Sequence, residues 1–224
     1  MRATIAGRVE GGGNFSAAEL SNSVEMATRA VISGGRDPDH DLVDRVLGGD
    51  REAFASLLTR HQKKVFNFMY RMVGERGVAE DLTQEVFLKV YEALPGFRKA
   101  ATFSTWLYRI AHNHCLNALK GRGREIAVSA LTKEPAHGNP VTAFVDPSAS
   151  PEERLEQQEL QAVVQMKLAE LTPEHRAVLV LRDIQGLSYD EIAVTLELEG
   201  GTVRSRLHRA RMELKEKLRS YLEL

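Results

Sequence analysis

Leu187-Ser188-Tyr189-Asp190-Glu191-Ile192-Ala193, followed after a short connection by Gly201-Thr202-Val203-Arg204-Ser205-Arg206-Leu207-His208-Arg209-Ala210-Arg211, is the stretch on which the reading of this chain turns. Ser188 with Glu191 three residues on is a capping-box signature, so a helix starts there and runs to about Leu196. The pattern passes through Leu198 and Gly200-Gly201 and resumes at Thr202 as a long helix with Val203, Leu207, Leu214 and Leu218 inward. A short helix, a tight connection and a long helix are helix-turn-helix proportions. Ala193 is small where the two helices must cross, and Ile192, Leu196, Leu198, Val203 and Leu207 supply the core beneath them. The outer face of the last helix, which opens at Thr202, presents Arg204, Ser205, His208, Arg209 and Arg211, a set suited to phosphates and to the acceptor-rich edge of guanine in a major groove. An ordinary solvated helix, its arginines paired with Glu213 and Glu216, would show the same face alone. The preceding short helix decides for DNA.

Working outward, Ser150-Pro151-Glu152-Glu153 joins an N-cap, a proline at the first helical position and a capping-box glutamate, and opens a helix to about Leu171. Thr172-Pro173 opens another that ends near Gly186, so residues 150–224 read as one four-helix domain. Residues 125–149 contain Pro135, Gly138, Pro140 and Pro147 without helical period and are read as a linker. Residues 37–124 form a second helical domain. Asp50 caps a helix with the stripe Phe54, Leu57, Leu58, Val65, Phe68, Met69 and Met72, ending near Gly74. Further helices are expected from about Val78 to Leu94, stopped by Pro95-Gly96, and from about Thr102 to Lys120. Residues 1–36, rich in Gly, Ser and Ala, are read as a disordered extension. The fold class is all-α: two small helical domains on a flexible linker.

The 224 residues carry a net charge of -1, so any contact with nucleic acid must come from segregated charge. A single cysteine, Cys115, excludes an internal disulfide framework and suits a reducing compartment. No stretch is apolar and long enough for a membrane span, and no secretory core is present at the start, which predicts a soluble cytoplasmic protein.

Segregated charge is found between Gly96 and Arg124, which holds Arg98, Lys99, Arg109, Lys120, Arg122 and Arg124 without an Asp or Glu. Phe97, Phe103, Trp106 and Tyr108 are interleaved. Cations that follow a backbone and aromatics that stack on bases are what single-stranded nucleic acid requires. The competing account places Phe103, Trp106, Leu107 and Ile110 in a helix core. On the preceding helix Leu82, Val86 and Val90 line one side and Asp81, Gln84, Glu85 and Lys89 another, with Phe87 toward the polar side; by itself that is a solvated face or a protein-docking face. His112, His114 and Cys115 suggest a metal or a nucleophile, but His114 points away from the other two and Cys115 lacks a base partner. No catalytic residue, metal or cofactor is expected, and no phosphate-cradling glycine loop occurs.

Phe97-Arg98, the run Thr102-Phe103-Ser104-Thr105-Trp106-Leu107-Tyr108-Arg109-Ile110-Ala111, Asn113 and Asn117 resemble the promoter-melting segment of extracytoplasmic-function sigma factors. Asp81-Leu82-Thr83-Gln84-Glu85-Val86-Phe87 resembles that family's polymerase-binding helix, and the helix-turn-helix resembles its final domain. The resemblance spans roughly Asp41 to Leu222 and implies sigma region 2 over 37–124 and region 4 over 150–224. It implies that Asp81, Gln84, Glu85 and Phe87 dock on core RNA polymerase. Phe97, Arg98, Phe103, Trp106, Tyr108, Arg109, Asn113 and Asn117 then meet the melted minus-ten element, and Thr202, Arg204, Ser205, His208, Arg209 and Arg211 the minus-thirty-five duplex. It further implies a non-enzymatic alternative sigma factor of a stress or envelope-signal regulon, with an anti-sigma factor as partner. Glu199 stands where members often carry proline. The rival reading is a stand-alone helix-turn-helix regulator, against which the helical pattern of Asp50 to Lys120 argues.

Overall fold

The computed structural model of the protein describes residues 37–121 and 151–222. The expected extension over 1–36, the expected linker over 125–149, and Arg122 and Arg124 lie outside the described residues. Within them the chain forms α-helices and no strand. Helix α1 spans Pro38–Leu47, α2 Arg51–Val73, α3 Arg76–Ala93 and α4 Phe103–Gly121. The second block is α5 over Pro151–Ala169, α6 over Pro173–Leu179, α7 over Tyr189–Leu196 and α8 over Gly200–Leu222.

The caps explain most of these limits. Asp50 accepts a hydrogen bond from the Ala53 amide at 3.2 Å, and α2 ends at Gly74, whose φ of 80° continues the chain in a conformation that costs glycine nothing. Thr172 accepts from the His175 amide at the start of α6. At α7 both halves of the capping box form: Ser188 Oγ accepts from the Glu191 amide at 3.2 Å, and the Glu191 carboxylate accepts from the Ser188 amide at 2.8 Å. Past Leu179 the helix widens into a π-turn over Val180–Ile184, closed by the Gln185 amide donating to Val180 O at 2.9 Å.

Three boundaries differ from the sequence expectation. Helix α3 begins two residues early because Glu75 accepts from the Gly77 and Val78 amides and acts as its cap. Leu94–Gly96 forms a 3-10 turn after it. Helix α8 begins at Gly200, before Thr202, because the turn out of α7 is made by Glu197 in the left-handed conformation (φ 55°), which frees both glycines to be helical.

In the first block α2 packs against α1, α3 and α4. Leu57, Val65, Phe68, Met69 and Met72 of α2 meet Leu82, Val86 and Val90 of α3 and Phe103, Leu107 and Ala111 of α4 in the core. Asp37 ties the ends of this block together: one carboxylate oxygen accepts from the Asp39 amide at 3.0 Å and the other from the Phe103 amide at 2.7 Å. In the second block α6 and α7 pack on α8, with Val178, Leu181, Ile192, Val203, Leu207 and Ala210 buried. The two blocks are also packed on one another, α4 against α7 and α2 against α5 and α6, and their buried apolar residues form one continuous cluster. The two blocks correspond to the two helical domains read from the sequence, and in this structure they pack on one another.

Candidate nucleic-acid and partner-binding surfaces

Helix α8 buries Val203, Leu207 and Ala210 against the rest of the helix-turn-helix, and this spacing turns Arg204, Ser205, His208 and Arg209 outward, where all four are exposed. Ser205 Oγ donates back to Thr202 O at 3.1 Å, and Thr202 is half-buried at the first turn. Arg211 is exposed but held: its guanidinium donates to both carboxylate oxygens of Asp183, at 3.0 and 2.5 Å, which raises its already high pKa further. The carboxylates Glu213 and Glu216, expected as alternative partners for these arginines, pair instead with His175 and Arg219. The helix therefore offers a basic face whose cations at 204 and 209 are not engaged by either glutamate.

Helix α4 is capped by Thr102, whose hydroxyl accepts from the Thr105 amide at 3.2 Å. Its aromatic residues divide by depth. Phe103 is fully buried, Tyr108 is 3% exposed and Phe97 8%, whereas Trp106 is half-buried and lies tilted against two of these rings, with its centroid 4.9 Å from Phe97 and 5.8 Å from Phe103. Phe103, Phe97 and Tyr108 thus shape and support the surface, and Trp106 is the aromatic that reaches it. The core reading holds for Phe103 and Leu107, which are fully buried, and only in part for Ile110 and Trp106, which are half-buried. Tyr108 donates to Gln185 Oε1 at 2.7 Å, and burial pushes its phenol pKa well up. Arg98, Asn113 and Asn117 are exposed. Arg109 is half-exposed and paired with Glu197 at 2.5 Å. In the loop before α4, Lys99 pairs with Asp44, and His40 Nε2 lies 3.3 Å from Ala101 O.

On α3, Asp81, Gln84 and Glu85 are exposed as expected, and Glu85 pairs with His114 at 2.6 Å. Phe87 is not on the polar side: it is 6% exposed and belongs to the core. The correction has a geometric cause. Helix α3 lies between α2 and α4, so its buried arc is broad enough to take in Thr83 and Phe87 beside Leu82, Val86 and Val90. One edge of Phe87 still lines a groove of about 510 Å³ between α2 and α3, together with Phe54, Leu58, Gln84, Leu88 and Tyr91. Leu88 and Tyr91 stand 66% and 53% exposed at its mouth. Sequence reasoning missed these two, although Leu88 falling outside the Leu82-Val86-Val90 stripe was a visible signal.

Cys115 is fully buried, with its thiol pKa pushed up to about 12 by burial, and among the described residues no group of three His, Cys, Asp or Glu side chains could hold a metal ion. His112 is also buried, which lowers its pKa, and its Nδ1 has no hydrogen-bond partner among the described residues. No described helix is long and apolar enough to cross a membrane.

Residues 57–125 match the family Sigma-70 region 2, and residues 161–214 match Sigma-70, region 4. The chain is 38% identical over 187 residues to the RNA polymerase sigma-H factor of Pseudomonas aeruginosa, a match covering 84% of this chain and 97% of that protein. It is 38% identical over 180 residues to the ECF RNA polymerase sigma-E factor of Escherichia coli K12, covering 80% of this chain and 94% of the relative. The chain belongs to the extracytoplasmic-function sigma factors. Among solved structures, that of CnrH in complex with the cytosolic domain of CnrY matches with a TM-score of 0.58 at 24% identity, covering 81% of this chain and 97% of that one. The sigma factor RpoE of Bartonella quintana, solved with the anti-sigma factor NepR, matches with a TM-score of 0.57 at 23% identity, covering 74% and 96%. At those identities the likeness concerns the fold. Within this sigma factor, the region 2 match contains α3, α4 and the groove residues from Leu58 onward, and the region 4 match contains the whole exposed face of α8 from Thr202 to Arg211.

Proposed function

We propose that this chain is a cytoplasmic, non-enzymatic alternative sigma factor that binds core RNA polymerase and directs it to promoters. The observation that carries the reading is the presence, on one chain, of two surfaces with different nucleic-acid chemistry. The α8 face has cations and hydrogen-bonding side chains on an exposed helix, which suits a duplex groove, so Arg204, Ser205, His208 and Arg209 would contact the minus-thirty-five element. The α4 face has Trp106 over an aromatic base, flanked by Arg98, Arg109, Asn113 and Asn117 in an acid-free stretch, which suits unstacked bases of the minus-ten element. Asp81, Gln84 and Glu85 beside the Leu88 and Tyr91 groove would form the polymerase dock, a polar rim around an apolar centre. Residues 1–36 would be a dispensable extension and 125–149 the connection between region 2 and region 4. Two structural neighbours were solved in complexes, CnrH with the cytosolic domain of CnrY and RpoE with the anti-sigma factor NepR, which motivates an anti-sigma factor as a further partner.

The test is transcription from a random promoter library by core polymerase with the purified chain. A defined promoter class is expected to emerge. Leu88→Glu, which places a charge at the mouth of the groove without touching the core, should lower polymerase binding and transcription together. Arg204→Ala or Arg209→Ala should weaken upstream recognition by about 1–3 kcal/mol at particular base positions. Tight sequence-specific duplex binding by the chain alone, with no transcripts, would favour a stand-alone regulator.

A further inference from the structure

Residues 98–101, the segment between the turn after α3 and the start of α4, are given no fixed shape by their own backbone. The Phe97 amide closes on Leu94 O, and Thr102 O accepts the first bond of α4 from the Trp106 amide; between them, among the described residues, no backbone–backbone hydrogen bond holds the segment. It nevertheless contains a strained residue. Lys99 has a φ of 56°, in the left-handed region that side chains disfavour. Such a conformation persists only where the surroundings over-determine it.

The surroundings here are α1 and its cap, 55 to 66 residues earlier in the chain. Asp37, His40 and Asp44 stand three and four residues apart, so they share one face, and each reaches the segment or its end. Asp37 Oδ2 accepts from the Phe103 amide at 2.7 Å, which fixes the point where the segment enters α4. Nε2 of His40 lies 3.3 Å from Ala101 O and 3.5 Å from Asp37 Oδ2, and since a carbonyl only accepts, the imidazole donates. Lys99 Nζ donates to Asp44 Oδ1, which holds the left-handed residue. Folding of α1 requires none of these contacts: its own cap uses the other Asp37 oxygen, Oδ1, and Val43 anchors it in the core. The residues matched by Sigma-70 region 2 begin at 57, so the grip on the segment comes from a helix ahead of that match.

We propose that Asp37 and His40 are positioning residues for base selection: they act through the segment, setting the path of residues 98–101 and the start of α4, and thereby fix where Arg98 and Trp106 meet the minus-ten strand. The proposal rests on the reading of Arg98 and Trp106 as strand contacts. The route to the indole is short. Trp106 lies against Phe97 and Phe103; the His40 ring meets Phe97 edge-on at 5.7 Å, and the His61 ring, held by buried Asp39 at 2.7 Å, meets Phe103 at 5.2 Å. A reading surface whose support is loosened accepts more than one base, because discrimination depends on a held geometry.

The experiment uses the full chain with core polymerase and measures open-complex formation on a promoter selected by the wild type and on copies with single base changes in the minus-ten or the minus-thirty-five element. His40→Phe keeps a ring against Phe97 and loses the donor, whereas His40→Gln keeps a donor and loses the ring. Asp37→Ser keeps an oxygen for the local cap and is too short for the Phe103 amide. His40→Phe and Asp37→Ser are expected to lower minus-ten discrimination about three- to tenfold, the scale of one hydrogen bond, and to leave minus-thirty-five discrimination and core binding as in the wild type. His40→Gln should stay close to the wild type. Unchanged minus-ten discrimination in His40→Phe and Asp37→Ser would overturn the proposal. So would a uniform loss of activity at unaltered discrimination, which is what a merely destabilised fold gives, or equal defects in the two His40 variants, which decide alone if Asp37→Ser does not fold. Absence of any promoter class with the wild-type protein would instead remove the sigma-factor reading.

Discussion

Cys115 shows how burial decides the chemistry of a single side chain. Its sulfur is fully enclosed on α4, and the thiol pKa is pushed up to about 12 because no water stabilises the thiolate. At pH 8 the thiolate fraction is on the order of one in ten thousand, so the folded protein should not react with a thiol reagent, while the unfolded protein should react at once. The measurement is labelling of the native chain against the chain in denaturant; native labelling at the denatured rate would show that the helix opens freely. The same shift fixes a sign. Between the unfolded pKa near 8.5 and the folded one, the unfolded chain loses this proton and the folded chain keeps it, so this residue's contribution is present below about pH 8.5 and declines by about 1.4 kcal/mol per pH unit above it. The His-His-Cys cluster that sequence reading set aside as a metal site is divided by the helix in the same way: His112 and Cys115 face inward, and His114 turns out to Glu85.

Between elements, helix ends are where the organisation is decided, and Arg176 of α6 joins two of them. Its guanidinium donates to Leu168 O at 2.8 Å, Ala169 O at 2.6 Å and Leu171 O at 2.9 Å, which closes the end of α5, and also to Met72 O at the end of α2. A buried cation is tolerable here because the carbonyl ends of two helices converge on it. Arg176→Met should therefore cost about 2–4 kcal/mol by leaving those carbonyls unpaired, read as a fall in the urea midpoint at unchanged slope. An unchanged midpoint would mean water replaces the guanidinium without loss. No sequence signal announces this residue, whereas Asp50, Thr172 and Ser188 were legible as caps because each accepts from an amide three positions on, and Gly74 because its amide closes the helix on Tyr70 O four positions back. The Gly200-Gly201 pair misled for a related reason. Glycine permits a left-handed turn without requiring one, and Glu197, anchored by a distant arginine, took the position first. Phe87 misled because a helix gripped on two sides buries more than one stripe.

For the molecule as a whole, charge is balanced at -1, and the cations of α4 and α8 belong to a chain whose acids elsewhere cancel their long-range attraction for DNA. The free chain should consequently bind promoter duplex weakly at physiological salt and specifically only with core polymerase, which fixes the separation of the two reading faces. A titration with and without core enzyme checks this; nanomolar promoter binding by the chain alone would contradict it. The two helical blocks and their faces were legible because each rests on local periodicity. Their mutual packing was not, since it depends on polar pairs such as Arg71 with Gln165 and Tyr108 with Gln185, side chains far apart in sequence and unremarkable singly. The π-turn over Val180–Ile184 bears on how such a molecule can vary through descent. A widened turn spends one residue more than an α-turn over the same stretch of backbone. Loss of a single codon there can be absorbed by tightening to α geometry, with Leu187 and Ser188 left in place to start α7. The same loss inside the first turns of α8 would rotate every later side chain by about 100° and carry Arg209 off the exposed basic face. The chain therefore holds one place upstream of its reading helix where its length can change without re-indexing the helix that reads.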